Sequence, residues 1–358
     1  MPPPAGPAPK LASIQALRGL AALGVVLYHT HIILAQYGYP AAELFPHFAR
    51  HGMLGVNLLF VLSGFIIWRA HGSQLGHKHA LRPYLRRRAL RIYPLYWLFL
   101  SAYLLAAACG FGTPDFAGDL PNLLSSYALL DPAGTLTLPL QIAWTLLYEI
   151  RFYLLFALFF WSVPLAVAVF ALWGLAIVLA QPLGLATLSS LLSPWNTYFL
   201  WGIAAALVVD RLSPCLAIAA LPLGVAMLLA YVLQFNFTMA QLSARPDLLF
   251  WLAPAFALIV MGLVRLERHL GWAAPRALTL LGDASYAIYL VHSACLSALA
   301  IALKAMPWQI ALPAPLLFIA MAVASTGVGY AAHCVIERPL LARLRRPRPL
   351  TRQTPQWS

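Results

Sequence analysis

Arg18 and His29 stand eleven residues apart in LRGLAALGVVLYHT, with an almost wholly apolar stretch between them. At about 1.5 Å of rise per residue, a helix sets them roughly 16 Å apart along its axis, about half the ~30 Å hydrocarbon thickness of a bilayer. With Arg18 at one membrane face, His29 hangs near the midplane, where an ionisable side chain is costly and marks function by default. An imidazole there can give or take a proton near neutral pH. The alternative is a histidine merely hydrogen-bonded inside a helix bundle.

Glu149, within WTLLYEIRFY (Trp144 to Tyr153), is the second group of this kind. It lies about eight residues in from the outer edge of its apolar segment, ~12 Å deep by helical rise, and His29 comes to about 14 Å by the same count. A carboxylate facing the imidazole would orient its tautomer and stabilise the imidazolium. Tyr153, four residues on, shares the Glu149 face, whereas Arg151 points elsewhere. The alternative is that Glu149 is the counter-ion of a buried arginine. In GVNLLFVLSGF (Gly55 to Phe65), Ser63-Gly64 suits close helix packing and Asn57 sits where water alone would satisfy it. His292, in the outer half of a later segment, is either structural or part of the site, and Asp283 suits a helix start.

The elements that must position these groups are set by composition. The 358 residues are 62% hydrophobic and 9% charged, with a mean hydropathy of +0.80. Soluble domains carry about 25% charged residues, so the chain is an all-α integral membrane protein. A net charge of +13 can signal nucleic acid, but the basic residues sit in short loops between apolar runs, which excludes it. Cys109, Cys215, Cys295 and Cys334 occur singly, indicating no disulfide framework and no metal site.

Ten spans are long enough to cross, at roughly 12–36, 53–69, 92–110, 141–162, 164–181, 195–210, 214–234, 247–264, 278–301 and 312–335. Backbone groups in lipid must be satisfied internally, so these are helices, and the period-2 alternation of a membrane barrel is absent. Residues 1–10, MPPPAGPAPK, are Pro-rich and expected to be disordered. The run that follows reads as a first transmembrane helix rather than a removed signal. A transmembrane domain is expected over 11–336 and a basic tail over 337–358, with no soluble domain after it.

Nineteen of the twenty-three Lys and Arg residues fall on one side of this polytopic bundle, while Glu43, Asp115, Asp119, Asp131 and Asp247 fall on the other. The positive-inside rule then puts both termini in the cytoplasm. Arg151 alone lies within a span. The inner loop, about 70–91, carries Arg82, Arg86 and Arg87, which suit anchoring to anionic lipid heads. The outer loop, about 111–140, is long and rich in Gly, Pro and Asp; such loops are functional or disordered.

Several motifs come in one order: Arg18-x10-His29, the GVNLLFVLSGF block, Arg88-x-x-Arg91-Ile92-Tyr93-Pro94, Trp144-Thr-Leu-x-x-Glu149-x-x-Phe152-Tyr153, Ser285-Tyr-x-x-Tyr-x-x-His292 and Glu337-Arg338-Pro339. Together they resemble the membrane-bound acyltransferase-3 family over essentially the whole chain. Asn57 departs from it, since relatives often carry an acidic residue there, and the hydrolase-like domain that some relatives append is missing.

The resemblance implies a bacterial inner-membrane enzyme that takes an acyl group from cytoplasmic acyl-coenzyme A and delivers it to a hydroxyl of an extracytoplasmic glycan or related acceptor. Acetyl is the common family choice. Arg18, Arg88 and Arg91 would hold the coenzyme's phosphates by charge-assisted forks, with Tyr93 and Ser63 in the same donor-binding set. His29 would act as base or transient acyl carrier, with Glu149, Tyr153 and His292 completing the catalytic set. No metal is implied, and the remaining partners are membrane lipids. A secondary transporter for a sugar or proton-coupled solute also needs midplane ionisable groups, but the fifth to seventh spans lack acids and the two halves show no inverted similarity. A structural or lipid-anchoring role leaves the buried charges unexplained.

Overall fold

The computed structural model describes residues 11–39, 45–111, 116, 118–131, 136–185, 190–305 and 313–345. They form the helices α1 (Ala12–Gln36), α2 (Pro46–His51), α3 (Leu54–His71), α4 (Leu81–Ala108), α5 (Leu120–Ala128), α6 (Trp144–Phe156), α7 (Leu158–Trp161) and α8 (Val163–Ala180). There follow α9 (Thr197–Val208), α10 (Pro214–Gln234), α11 (Met239–Ser243), α12 (Pro246–Leu270), α13 (Arg276–Asp283), α14 (Ser285–Ala305), α15 (Ala314–Ala332) and, after a π-turn at His333–Glu337, α16 (Arg338–Arg345).

Among the described residues, nine helical stretches are long and apolar enough to cross a membrane. The one expected span outside these nine, the sixth, 195–210, is α9. Its 12 residues make about 18 Å of helix, well short of the ~30 Å core. It nevertheless links the two ends of the bundle. Trp195, just before it, packs against Trp144 with ring centroids 5.5 Å apart, and Asp210, just after it, pairs with Arg69 and Arg268.

A short helix suffices because most of α9 is packed against protein, with Trp201 and Val208 left exposed. An added Cβ on Gly64 would stand 2.2 Å from the Phe199 carbonyl oxygen, and one on Gly202 2.1 Å from that of Val61. The backbones of α3 and α9 therefore touch, and only glycine fits at the crossing. Phe199 then stacks on Phe60 at 4.6 Å and on Phe152 at 4.5 Å, joining α3, α9 and α6. A Gly64→Leu variant is expected to cost more than the ~1–3 kcal/mol usual for overpacking, because backbone rather than a side chain blocks the site. Monodisperse yield and thermal unfolding in detergent measure it; wild-type values for Gly64→Leu would contradict the crossing.

Four expectations about elements change. The inner loop 70–91 becomes helix from Leu81, since Pro83 sits in the first turn, where it is tolerated, and RRRALR favours helix. The span at 278–301 divides into α13 and α14 around Ala284. Part of the outer loop is the ordered helix α5, N-capped by Asp119, which accepts from the Asn122 amide at 2.7 Å. Tyr93, Tyr96 and Trp97 of α4 clamp it by donating to the carbonyls of Ala128, Ser126 and Tyr127, each at 2.8 Å. The tail begins as α16, tied down by Arg86 donating to the Leu344 carbonyl at 3.1 Å. The expected disorder of residues 1–10 and the basic stretch 346–358 lie outside the described residues.

Glu267 of α12 caps α1: its carboxylate accepts from the Ala12 and Ser13 amides at 2.8 Å each, satisfying orphan donors where the helix dipole favours an anion. Gln15 and Leu341 line one cleft together with Arg18 and Arg91. The first and last described helices thus meet at one end of the bundle, the arginine end.

Asp210 lies at that end too. Burial works against its charged form, but the hydrogen bond from Arg69 and the charges of Arg69, Arg268 and Arg265 outweigh it and hold its carboxyl below the ordinary carboxylate range. A depressed carboxyl stabilises the fold above its unfolded value, about 4, and that contribution is lost as pH falls through the folded value. Asp210→Asn is therefore expected to lower the melting temperature slightly at neutral pH, as for exposed pairs, and to flatten its decline below about pH 4. Parallel pH-dependent melts of both proteins check this.

Candidate active site

Helices α1, α3, α4, α6 and α14 enclose a cleft of about 710 Å³, mouth included. Arg18, Arg88 and Arg91 wall it at the arginine end. Ser63, Glu149 and Tyr153 follow, and Thr145, Phe60 and Tyr289 line it farther in. Six residues singled out by sequence, spread over four helices, therefore meet in one place.

Each arginine is held differently. Arg18 donates to Ser285 Oγ at 2.7 Å and to Gln15 Oε1 at 3.2 Å. Arg88 donates to His71 Nε2 at 3.2 Å and lies over the Tyr153 ring at 5.6 Å, while its buried Nε has no partner. Arg91 is in the electrostatic field of Tyr153, Glu149, Glu337 and Tyr286. Arg88 and Arg91, at i and i+3 of α4, share a face as expected, whereas Arg82, Arg86 and Arg87 are exposed and suit lipid heads. Three guanidinium groups with few carboxylates make an anion site whose geometry matches phosphate forks.

Glu149 does not face His29. Its Oε1 accepts from Ser63 Oγ at 2.8 Å and from the Tyr153 hydroxyl, and its charge acts on Arg18 and Arg91. It is thus the counter-ion of buried arginines, though not of Arg151. Arg151 bonds Ser190 Oγ and the Asp131 carbonyl and so staples connecting segments together. The pairing of Glu149 with His29 fails because equal depth on two helices leaves open which way each helix is turned.

His29 instead meets His292, with ring centroids 4.6 Å apart and planes at 73°. His29 Nδ1 donates to the Val25 carbonyl at 3.0 Å, and His292 Nδ1 to the Tyr289 carbonyl at 2.6 Å. Each bond fixes the proton on Nδ1 of the neutral ring and leaves Nε2 as the basic atom. His292 is fully buried and its Nε2 has no partner. Neither histidine lines the cleft; both stand behind Tyr289, whose ring centroid is 5.7 Å from that of His292 and whose hydroxyl bonds Thr145 at 2.8 Å.

Two further expectations change. Tyr93 is absent from the cleft lining, and its hydroxyl donates to the Ala128 carbonyl of α5. Asn57 is not left to water: it is fully buried, with both amide atoms unpartnered. Gly64 packs closely as expected, at the α3–α9 crossing, and Ser63 lines the cleft and donates to the Glu149 carboxylate. Sequence reasoning left out Thr145, Ser285, Tyr286 and Tyr289 as site residues. A signal existed, since Ser285, Tyr289 and His292 follow at i, i+4 and i+7 and so form one face of a helix.

The acyltransferase domain family model matches residues 11–334. The chain is similar to "Exopolysaccharide production protein ExoZ" of Rhizobium meliloti (strain 1021), 31% identical over 319 residues, covering 85% of this chain and 94% of that protein. It is also similar to "Protein 2 in picA locus" of Rhizobium radiobacter, 31% identical over 148 residues, 39% of this chain and 70% of that protein. "Acyltransferase MdmB" of Streptomyces mycarofaciens is 29% identical over 163 residues, 42% of this chain and 39% of that protein. No solved structure matches. The match to an enzyme family along nearly the whole chain decides against a transporter. The chain is a multi-pass membrane protein that belongs to the membrane-bound acyltransferase-3 family, and it is an acyltransferase.

Proposed function

We propose that this protein moves a short acyl group, acetyl in the simplest case, from cytoplasmic acyl-coenzyme A to a hydroxyl of an extracytoplasmic glycan, within a bacterial inner membrane. The observation that carries the reading is the cleft running from Arg18, Arg88 and Arg91 to Tyr289 beside the histidine pair. With the arginine end and both termini in the cytoplasm, as the distribution of basic residues favours, the three guanidinium groups bind the nucleotide phosphates. The pantetheine arm lies along Ser63 and Thr145, and the thioester stops near Tyr289.

Transfer is then direct. His29 Nε2 takes the proton of the acceptor hydroxyl, and that oxygen attacks the thioester carbonyl. The C–S bond breaks as the ester C–O bond forms, and the departing thiolate takes the proton from the imidazolium. An imidazole set behind the cleft wall suits proton transfer better than covalent attack on the thioester. His292 positions His29 and offers the imidazolium its free Nε2 lone pair. Glu149 and Tyr153 keep the arginines fixed and partly neutralised. The names of the relatives, exopolysaccharide production among them, favour a carbohydrate acceptor.

The test is whether inverted membrane vesicles containing the protein release free thiol from acetyl- or other short acyl-coenzyme A. Envelope glycans should also gain one ester-sized mass in cells that carry the gene. Vesicles that leave every short acyl-coenzyme A intact would overturn the proposal.

A further inference from the structure

A second cleft, holding about 670 Å³, opens away from the arginine end, and Trp144, Tyr148, Gln181, Ser193, Trp195 and Ser243 are among its lining residues. Among the described residues, no charged side chain lines it. Its rings meet edge to face, Trp144 with Trp195 at 5.5 Å and Trp144 with Tyr148 at 5.7 Å. Behind them stands Phe60, 6.3 Å from Trp144 and 5.9 Å from Tyr148. Phe60 also lines the arginine cleft, as does Thr145, the residue next to Trp144. The two clefts are therefore separated by little more than one aromatic ring.

The polar groups are matched to a ligand that donates hydrogen bonds. Gln181 Nε2 is spent on the Ile177 and Leu192 carbonyls at 2.8 and 3.2 Å, which leaves the amide only Oε1, an acceptor, to offer. Ser243 Oγ donates to the Met239 carbonyl at 2.8 Å and keeps its lone pairs. Aromatic faces with neutral acceptors and no ions suit a molecule with one apolar face and several hydroxyls.

The geometry points to this cleft as the acceptor subsite, taking a neutral pyranose unit whose hydroxyl is presented across the Phe60–Trp144 partition. This rests on the acyl-coenzyme A reading above. The hydroxyl gives up its proton as the new ester forms on the sugar oxygen, the C–S bond breaks, and the thiolate takes up a proton and leaves as free thiol on the arginine side.

The experiment uses the full chain in nanodiscs, where both faces are open, with acetyl-coenzyme A as donor. The acceptor probes are methyl β-D-glucopyranoside and methyl β-D-galactopyranoside, compared with glycerol. A pyranoside is expected to raise thiol release above the acceptor-free rate and to appear as its monoacetyl ester, with glycerol much weaker. Ser243→Trp fills the cleft from an exposed rim position and is expected to raise the pyranoside KM about tenfold, the scale of losing one anchor. The acetyl-coenzyme A KM and the acceptor-free rate should stay as in wild type. Trp195→Phe, milder for the buried core, is expected to shift the same parameter in the same direction. Unchanged pyranoside KM in both variants, equal shifts in donor and acceptor KM, or glycerol matching the pyranosides would overturn the subsite while leaving the donor reading intact. Wild-type protein that releases no thiol with or without acceptor overturns the donor reading, and the subsite with it.

Discussion

Replacing His29 by alanine is expected to leave the protein folded in the membrane while lowering acyl transfer about 10²- to 10⁴-fold, the range for removing a general base. The fold should tolerate it because the ring's hydrogen bond is to the carbonyl of Val25, four residues back on its own helix, and it otherwise meets the rings of Tyr28 and His292 edge-on. The chemistry should not, because the proposed mechanism makes Nε2 of His29, in the pair behind Tyr289, the basic atom. His292 is a positioning residue, and its loss should read differently. His292→Asn keeps a polar group in a fully buried place and is expected to retain more activity than His29→Ala, with an altered shape of the pH–rate profile. A merely structural role for His292 would move thermal stability and leave that profile alone. Normal acylation by a well-expressed His29→Ala protein would remove imidazole catalysis from the mechanism.

Much of this site was legible because it depends on distances along single helices. The Arg18–His29 spacing, the shared face of Arg88 and Arg91, and the shared face of Glu149 and Tyr153 all survive, since 3.6 residues per turn fixes them without any tertiary information. What failed depends on how helices are turned and crossed. Glu149 and His29 were matched by depth, yet Glu149 turns toward Ser63 and Tyr153 while His29 turns toward His292. Tyr93 sits one turn from Arg88 but on the side that grips α5. The sixth span is short because Gly64 and Gly202 let α9 sink against α3, which a count of apolar residues does not register. The loop at 111–140 hid α5 for a similar reason: three hydrogen bonds from α4 hold it, and a polar segment shows no such partner in advance.

Arg91→Ala is expected to raise the KM for acetyl-coenzyme A about ten- to a hundredfold, the loss of one or two charge-assisted hydrogen bonds. Arg91→Lys should recover only part of it, because an ammonium keeps the charge and loses the planar fork. The sharper comparison uses acetyl-pantetheine, which has the same thioester and arm without the nucleotide phosphates. Wild-type protein should strongly prefer acetyl-coenzyme A, and Arg91→Ala should narrow that preference from the coenzyme side alone. A second effect follows from the surroundings. Without Arg91 the Glu149 carboxylate keeps Ser63, Tyr153 and the field of Arg18 but loses a nearby cation, and a partly buried charge that loses its partner is destabilising. Glu149→Gln in the Arg91→Ala background should therefore restore thermal stability without restoring the KM, a non-additive pair of the kind neighbouring charges produce. If Arg91→Ala keeps the full preference for acetyl-coenzyme A over acetyl-pantetheine, the phosphates are held elsewhere and the arginine end is not where the donor enters.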